Sequence, residues 1–387
     1  MRYTVPHYYS HFSCVAGKCP DTCCAGWAIM IDEKSLQKYR ARKDSFGNRL
    51  RNSIDWKEKA FKQYEGRCAF LNEENLCDIY GEAGPDMLCR TCRSYPRHTE
   101  EYEGIREISL SLSCPVAADL ILDCEEPVHF LTKEDERKES YDEFDFFLYT
   151  KLDDVREAVL AFLQDRELDV STRIGIAFGL VHDLQRRIDT GKLYETDGLL
   201  ERYQKEGAKE KLRRKLAAVK EQRPGRYETA RGLFGILKEL EVLKADWPDY
   251  LSRIEEALYR GGAEVYMEKR RLFYEYLEAD GARWRLWEQW GEQLMVYFVF
   301  TYFCGAVYDG EALDKMKLAV VSTIIIQEIA QALWQTEGKL SPEEFKEAAR
   351  RYSREVEHSD LNLSLLEKQF HNRKECSFDS LLSLITG

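Results

Sequence analysis

At 387 residues the chain is long enough for two domains and a substantial core. Its net charge of −12 argues against nucleic acid as a partner: steering toward phosphate needs a basic face, and runs such as Lys209 to Lys215 interleave Glu with Lys and Arg. Met1 to Ser10 holds no apolar run of the signal-sequence kind, and no uninterrupted apolar stretch reaches the length of a membrane span, so the expected location is the cytoplasm.

Ten of the twelve cysteines lie before residue 125, leaving Cys304 and Cys376 to the long remainder. In a reducing compartment, thiols at short spacings hold metal more often than they form disulfides. The series opens with Cys14, Cys19, Cys23 and Cys24, continues with Cys68 and Cys77, closes on Cys89 and Cys92, and is followed by Cys114 ahead of Pro115.

In chain order, Ala28 to Ile31 is a short apolar run, and Asp32 stands as an N-cap before Leu36 and Tyr39. Cys68 to Leu71 and Leu76 to Tyr80 flank Asn72 to Asn75 and read as a hairpin, and Gly84-Pro85-Asp86 starts a helical turn. Cys89 and Cys92, three apart on a helix, share a face and can point at one centre. Ile108, Leu110 and Leu112 alternate with serines as a half-buried strand. Pro115 opens a helix whose buried side is Val116, Leu120 and Ile121, and Glu125-Glu126-Pro127 is a break.

After a charged connector from Thr132 to Ser140, helical spacing links Leu152, Val155, Val159 and Phe162, and then Ile174, Ala177, Val181, Leu184 and Ile188. Pro224-Gly225 and Trp247-Pro248 are breaks. The most apolar helices, Trp287 to Val307 and Leu318 to Trp334, read as core rather than membrane, and Ser341 to Glu344 is a capping box. The expected fold is mainly α: a small irregular α+β cysteine-rich metal-binding domain over 1–130, followed by an all-α helical domain over 131–387.

Cys23-Cys24 in the Pro20–Trp27 segment looks like a signature of the CxxCxxCC-type metal-chelating families, although Cys14-x4-Cys19-x3-Cys23-Cys24 is more widely spaced. With Cys68 to Leu71, Cys77 to Tyr80, Cys89 to Arg97, Ser111 to Pro115 and the late Ser353-Arg354 … Glu357-His358-Ser359, the set resembles the flagellin lysine N-methylase family. The resemblance implies S-adenosylmethionine-dependent methylation of lysine side chains on a protein, flagellin by the family's name, in the cytoplasm, with a 4Fe–4S cluster held by the cysteine motif.

The chemistry sets requirements of its own. The candidate ligands are Cys19, Cys23, Cys24, Cys68, Cys77, Cys89, Cys92 and Cys114, with Cys14 less secure. Nine thiols exceed the four that one 4Fe–4S cluster takes, so either two centres exist or several thiols are structural. The alternative is a zinc- or iron-chelating structural or electron-transfer module without methyltransferase activity, zinc taking four thiolates per ion. Cys124, Cys304 and Cys376 read as small buried hydrophobes. Cys19-x3-Cys23 begins like the radical S-adenosylmethionine motif, but Gly26 stands where the third cysteine is required.

A lysine ε-amine has a pKa of about 10.4, so about one in two thousand carries a lone pair at neutral pH, and the site must desolvate it or supply a base. Glu107 and His358, with its neighbour Glu357, are the candidates, ahead of Asp32; an exposed strand partner, an ordinary helix-end histidine and a helix cap are the plain alternatives. Arg93 and Arg97, with Arg90, are placed to grip a donor carboxylate or simply to balance thiolate charge. Trp27 and Tyr95 are placed to stack on adenine or simply to pack. The aromatic helix near Tyr297 leaves room for a peripheral membrane contact.

Overall fold

The computed structural model describes residues 1–222 and 225–387, a mainly helical protein with a small α+β part toward its N-terminal end. A four-stranded sheet runs in the order Arg97–Tyr102, Ile105–Leu110, Arg2–Pro6, Phe130–Glu134. Arg2–Pro6 is parallel to Ile105–Leu110, with Thr4 opposite Glu107, and antiparallel to Phe130–Glu134.

Ile105–Leu110 therefore lies inside the sheet with neighbours on both edges. It buries Ile105, Glu107, Ser109 and Leu110 and leaves Ile108 only half-buried, so the expected apolar alternation is not the one used. A carboxylate on a covered face needs a partner. Arg156, itself buried, supplies it as an ion pair.

The interior holds two clusters of buried side chains. A small core gathers buried residues from Ile29 to Cys89, whereas Tyr102, Leu110, Leu112 and the helix Pro115–Leu122 join the large core of the helical body. Phe130–Glu134 closes the sheet, so the expected connector begins as a strand, and continuous helix starts at Phe146. In Pro115–Leu122 the buried face is Ala117, Ala118, Ile121 and Leu122, with Val116 and Leu120 at its margin.

In the small core, Asp32 caps the helix Glu33–Ala41 by accepting from Ser35 N at 3.0 Å, and Leu36 and Tyr39 are buried beneath it. The expected hairpin shrinks to one antiparallel bridge between Leu71 and Cys77, because the chain turns into the helix Asp78–Ala83. Asp78 favours that course: its N–H bonds to Phe70 O at 2.8 Å and its carboxylate receives Asn72 Nδ2 at 3.0 Å.

In the helical body, Gly281–Tyr302 and Ala312–Glu337 pack together as expected, and the capping box at Ser341 starts Pro342–Glu357. Pro224 lies outside the described residues; Trp247-Pro248 forms the first turn of the helix Trp247–Tyr259, where proline's missing N–H costs nothing. Ala312–Glu337 is long and apolar enough to cross a membrane by composition, contrary to the expectation from the sequence, but 89% of its apolar window is buried inside the fold.

Three side chains one turn apart tie the body to the segment carrying Cys114. Gln289 and Gln293 donate to the carbonyls of Leu122 and Cys124 at 2.9 and 3.0 Å, and Tyr297 Oη accepts from Leu112 N at 3.2 Å. Lys346 adds ion pairs to Asp119 and Asp123 at 3.0 and 2.6 Å, bringing Pro342–Glu357 against the same segment.

Candidate active site

Arg354, Glu357 and His358 fall one turn apart near the end of Pro342–Glu357, so they face one side, toward the cysteine loops. Arg354 is about 1% exposed. It pairs with Asp21 at 3.1 Å and donates to Ala25 O and Ser113 O at 3.3 and 3.4 Å, fastening the loop around Cys23 to the segment before Cys114. Lys244 reaches Asp21 as well, at 2.8 Å. Its side chain also explains Gly26: at φ +83° with Lys244 methylenes about 3.0 Å from where a Cβ would stand, the position resists any cysteine.

Where these elements meet there is a cavity of about 320 Å³. Trp27, Thr91, Tyr95 and Arg97 reach it from the cysteine loops, and Tyr297, Tyr302, Glu357 and His358 from the helical body. The Trp27 indole donates to Cys23 O at 2.8 Å, which fixes the ring immediately beside the thiols. It meets the His358 ring edge-on at 4.7 Å, and Tyr95 meets the same ring at 5.7 Å.

Glu357 forms the charged floor. One carboxylate oxygen accepts from Tyr297 Oη and Tyr302 Oη at 2.7 and 2.6 Å; the other is buried and makes no hydrogen bond of good geometry, with Ser353 a third hydroxyl beside the carboxylate. Burial raises the Glu357 pKa above the usual carboxylate range, against the opposing pull of neighbouring hydroxyls. His358 goes the other way: burial, then the Arg354 charge, press its pKa down to about 3, so the ring is neutral. Its Nε2 lies 2.7 Å from Ser113 Oγ, and its Nδ1 is buried without a partner. His98 sits at the same rim; burial lowers its pKa, but Glu100, with Glu357 and Asp360, carries it above that of an ordinary imidazole.

The sequence candidates divide accordingly. Trp27, Tyr95, Arg97 and His358 come together at the cavity. Glu107 does not: it lies in the sheet, held by Arg156, buried rather than exposed. Asp32 is occupied by capping and by Arg90 N at 2.8 Å. Arg93 is exposed on the short helix Arg90–Ser94, and Arg97 lies over the rings of Tyr9 and Phe12. Tyr302, His98 and Arg354 were not singled out as site residues; of these only Arg354 left a signal, its spacing to Glu357 and His358.

Among the described residues, no cysteine lines the cavity itself. All twelve cysteines are free. Cys68 and Cys89 are buried in the small core, with Cys24, Cys77 and Cys92 packed against it, while Cys114 belongs to the large core. Cys89 and Cys92 share a hydrogen bond that lowers the first and raises the second, and Cys24 and Cys23 behave in the same way. Among the described residues, the one trio of metal-binding side-chain atoms drawn within 4.8 Å of one another is Glu311, Asp314 and His371, in which Lys317 already neutralises Asp314. Among the described residues no three cysteine sulfurs lie within 4.8 Å of one another. A larger hollow of about 850 Å³, between Val170–Asp189 and Ala208–Gln222, lies away from every candidate residue.

A family model described as the FliB lysine N-methylase C-terminal domain matches residues 156–386. The flagellar biosynthetic protein FliU of Salmonella muenchen is 34% identical over 128 residues, 31% of this chain and 76% of that protein. Lysine-N-methylases of Salmonella choleraesuis and Salmonella typhimurium are each 34% identical over 128 residues, which is 32% of their own length. The chain therefore aligns with about a third of the methylases it matches. No solved structure matches it.

Proposed function

We propose, from the premise that this chain belongs to the FliB lysine N-methylase family, that it is a protein-lysine N-methyltransferase whose acceptor lysine enters the cavity above Glu357. The observation that carries the reading is the buried, unpaired oxygen of Glu357 beneath a ring of aromatic side chains. Aromatic faces attract an ammonium group, and a half-satisfied carboxylate gives its proton somewhere to go.

The acceptor arrives as an ammonium ion. Losing water in the cavity lowers its pKa, while burial has raised that of Glu357, so the two approach each other and the proton passes to the free carboxylate oxygen. The freed lone pair attacks the methyl carbon of S-adenosylmethionine: an N–C bond forms, the sulfonium S–C bond breaks, and S-adenosylhomocysteine leaves. Tyr297 and Tyr302 hold the carboxylate in place. Neutral His358, with Trp27 and Tyr95, lines the passage without adding a repelling charge.

The thiol set offers more than the four cysteine ligands that an iron–sulfur cluster takes. When bound, such a centre supplies a rigid anchor for the loops that carry Trp27 and Tyr95. Free thiols throughout agree with a cytoplasmic setting, and flagellin is the acceptor that the relatives' names suggest. The test is transfer of a labelled methyl group from S-adenosylmethionine to flagellin lysines by anaerobically purified protein. Transfer abolished in Glu357→Gln at unchanged iron content supports the reading; equal transfer by both proteins overturns it.

A further inference from the structure

We infer that the hollow of about 850 Å³ between Val170–Asp189 and Ala208–Gln222 is a binding site for a small ligand that carries a chain of phosphates. This part of the helical body plays no role in the methyl-transfer reading, and the inference stands independently of it.

Three helices that pack on one another hold the walls: Val170–Asp189, Thr196–Gln204 and Ala208–Gln222. The last is seated closely on the first. A Cβ at Gly175 would meet Leu216 Cδ1 at 2.9 Å, so only glycine lets the two helices approach this far. Lys209 adds an ion pair to Asp165, just ahead of Val170–Asp189.

The wall is cationic. Among the described residues it carries seven lysines and arginines against three carboxylates, in a chain whose net charge is −12. Two of the cations are matched: Arg202 pairs with Asp183 at 2.8 Å and Lys192 with Glu195 at 4.0 Å. Tyr203 Oη also donates to Asp183, at 3.1 Å. Arg187 gives Nη1 to Asp183 O at 2.7 Å, which steadies its guanidinium at the wall. Arg186, Lys205, Lys211 and Lys215 make no ion pair with any described residue.

The charged run of Ala208–Gln222 sorts by face. Glu210 takes both Arg213 and Arg214, each at 2.9 Å, away from the hollow. Lys211 and Lys215, one turn apart, share a face at the hollow, where like charges at that spacing repel. Lys205 and Lys211 also flank the start of this helix, the end at which the dipole favours anions. The arrangement costs stability by itself and calls for several negative groups in a row. The hollow lies within the roughly 300–1,000 Å³ of small-ligand sites. Arginine forks and lysine ammoniums recognise phosphate oxygens, and Tyr203 and Leu212 add apolar surface for an organic moiety.

The experiment is calorimetric titration of the anaerobically purified full chain with inorganic tripolyphosphate and with ATP, without divalent cations and at physiological ionic strength. Compared are wild type, Lys211→Gln with Lys215→Gln, and Arg213→Gln with Arg214→Gln, which removes the same charge from another face of the same helix. All four side chains are exposed, so both variants should keep the native circular dichroism. The site predicts one ligand per chain. Affinity should fall at least about tenfold in the Lys211 and Lys215 variant, through the loss of two charge-assisted contacts, and stay at the wild-type value in the other. ATP binding more tightly than tripolyphosphate assigns the ligand to the nucleotides; equal binding assigns it to the phosphate chain alone. Absence of binding by wild type, or equal weakening in both variants, overturns the inference. Polyglutamate that binds wild type more tightly than either probe, and loses that advantage in the Lys211 and Lys215 variant, overturns it too, because the hollow then takes an acidic protein surface.

Discussion

Thirteen buried residues between Ile29 and Cys89 make up the interior of the small core, whereas in the helical body a single helix, Ala312–Glu337, buries more side chains than that. The small core joins short helices and two-residue strands, with thiols in or packed against it. Its apolar content is modest for a structure that must hold its shape, and regions of that kind draw stability from bound metal. At the seam the helical body leaves Glu357 half-satisfied and His358 Nδ1 unpaired. One region is built to be held; the other does the holding and supplies the reactive group.

Breaking the reactive half should give the largest effect. Glu357→Gln is expected to lower methyl transfer by about 10²- to 10⁴-fold, the usual worth of a positioned base. The same change should raise the melting temperature at neutral pH. Because the folded pKa of Glu357 is raised, its contribution to stability is full below the unfolded value of about 4.3 and is lost as pH climbs through the folded value. Calorimetry at pH 7 and pH 4 checks the sign: the variant's advantage should shrink on acidification.

Removing metal tests the held half. Anaerobic chelation should speed protease cleavage within 29–92 about tenfold for every 1.4 kcal/mol of local stability lost, while fragments from 281–357 persist. Mass spectrometry of the digest distinguishes this from global unfolding.

A deletion in the sheet should hurt stability without touching the cavity. Glu107→Ala leaves the buried Arg156 only the partly exposed Asp153 as a carboxylate partner, and up to about 3–5 kcal/mol should be lost in denaturant titration. In the fraction that remains folded, the pH dependence of transfer should match wild type. Tyr302→Phe is finer: it removes a hydrogen bond to a charged group worth about 1.5–3 kcal/mol, which should move the acid limb of the rate profile upward by about one to two pH units. Arg93→Ala, at an exposed site, should change stability by no more than about 0.5 kcal/mol.

The same contrast explains what could be read beforehand. The cysteine cluster was legible because it is written in local spacing, and the Asp32 and Ser341 caps were legible for the same reason. Trp27, Tyr95 and His358 could be named because they adjoin motif residues. Tyr302 and His98 could not, since they reach the cavity only through the packing of a helix end against the sheet. Glu107 drew attention as a carboxylate on a strand, but nothing local revealed that the strand is internal or that Arg156, 49 residues later, would neutralise it. The Asn72–Asn75 turn was visible; the helix that follows it was decided by Asp78 and its long-range partner Arg49, at 2.5 Å.

The most direct test of Glu357 as the group that frees the acceptor amine is the pH dependence of methyl transfer to flagellin by wild type and Glu357→Gln at equal iron content. With the base gone, only amines already deprotonated in solution can react, so the variant's rate should climb about tenfold per pH unit toward the lysine pKa of about 10.4 and approach wild type there. Two profiles that run parallel across the whole range would contradict the account.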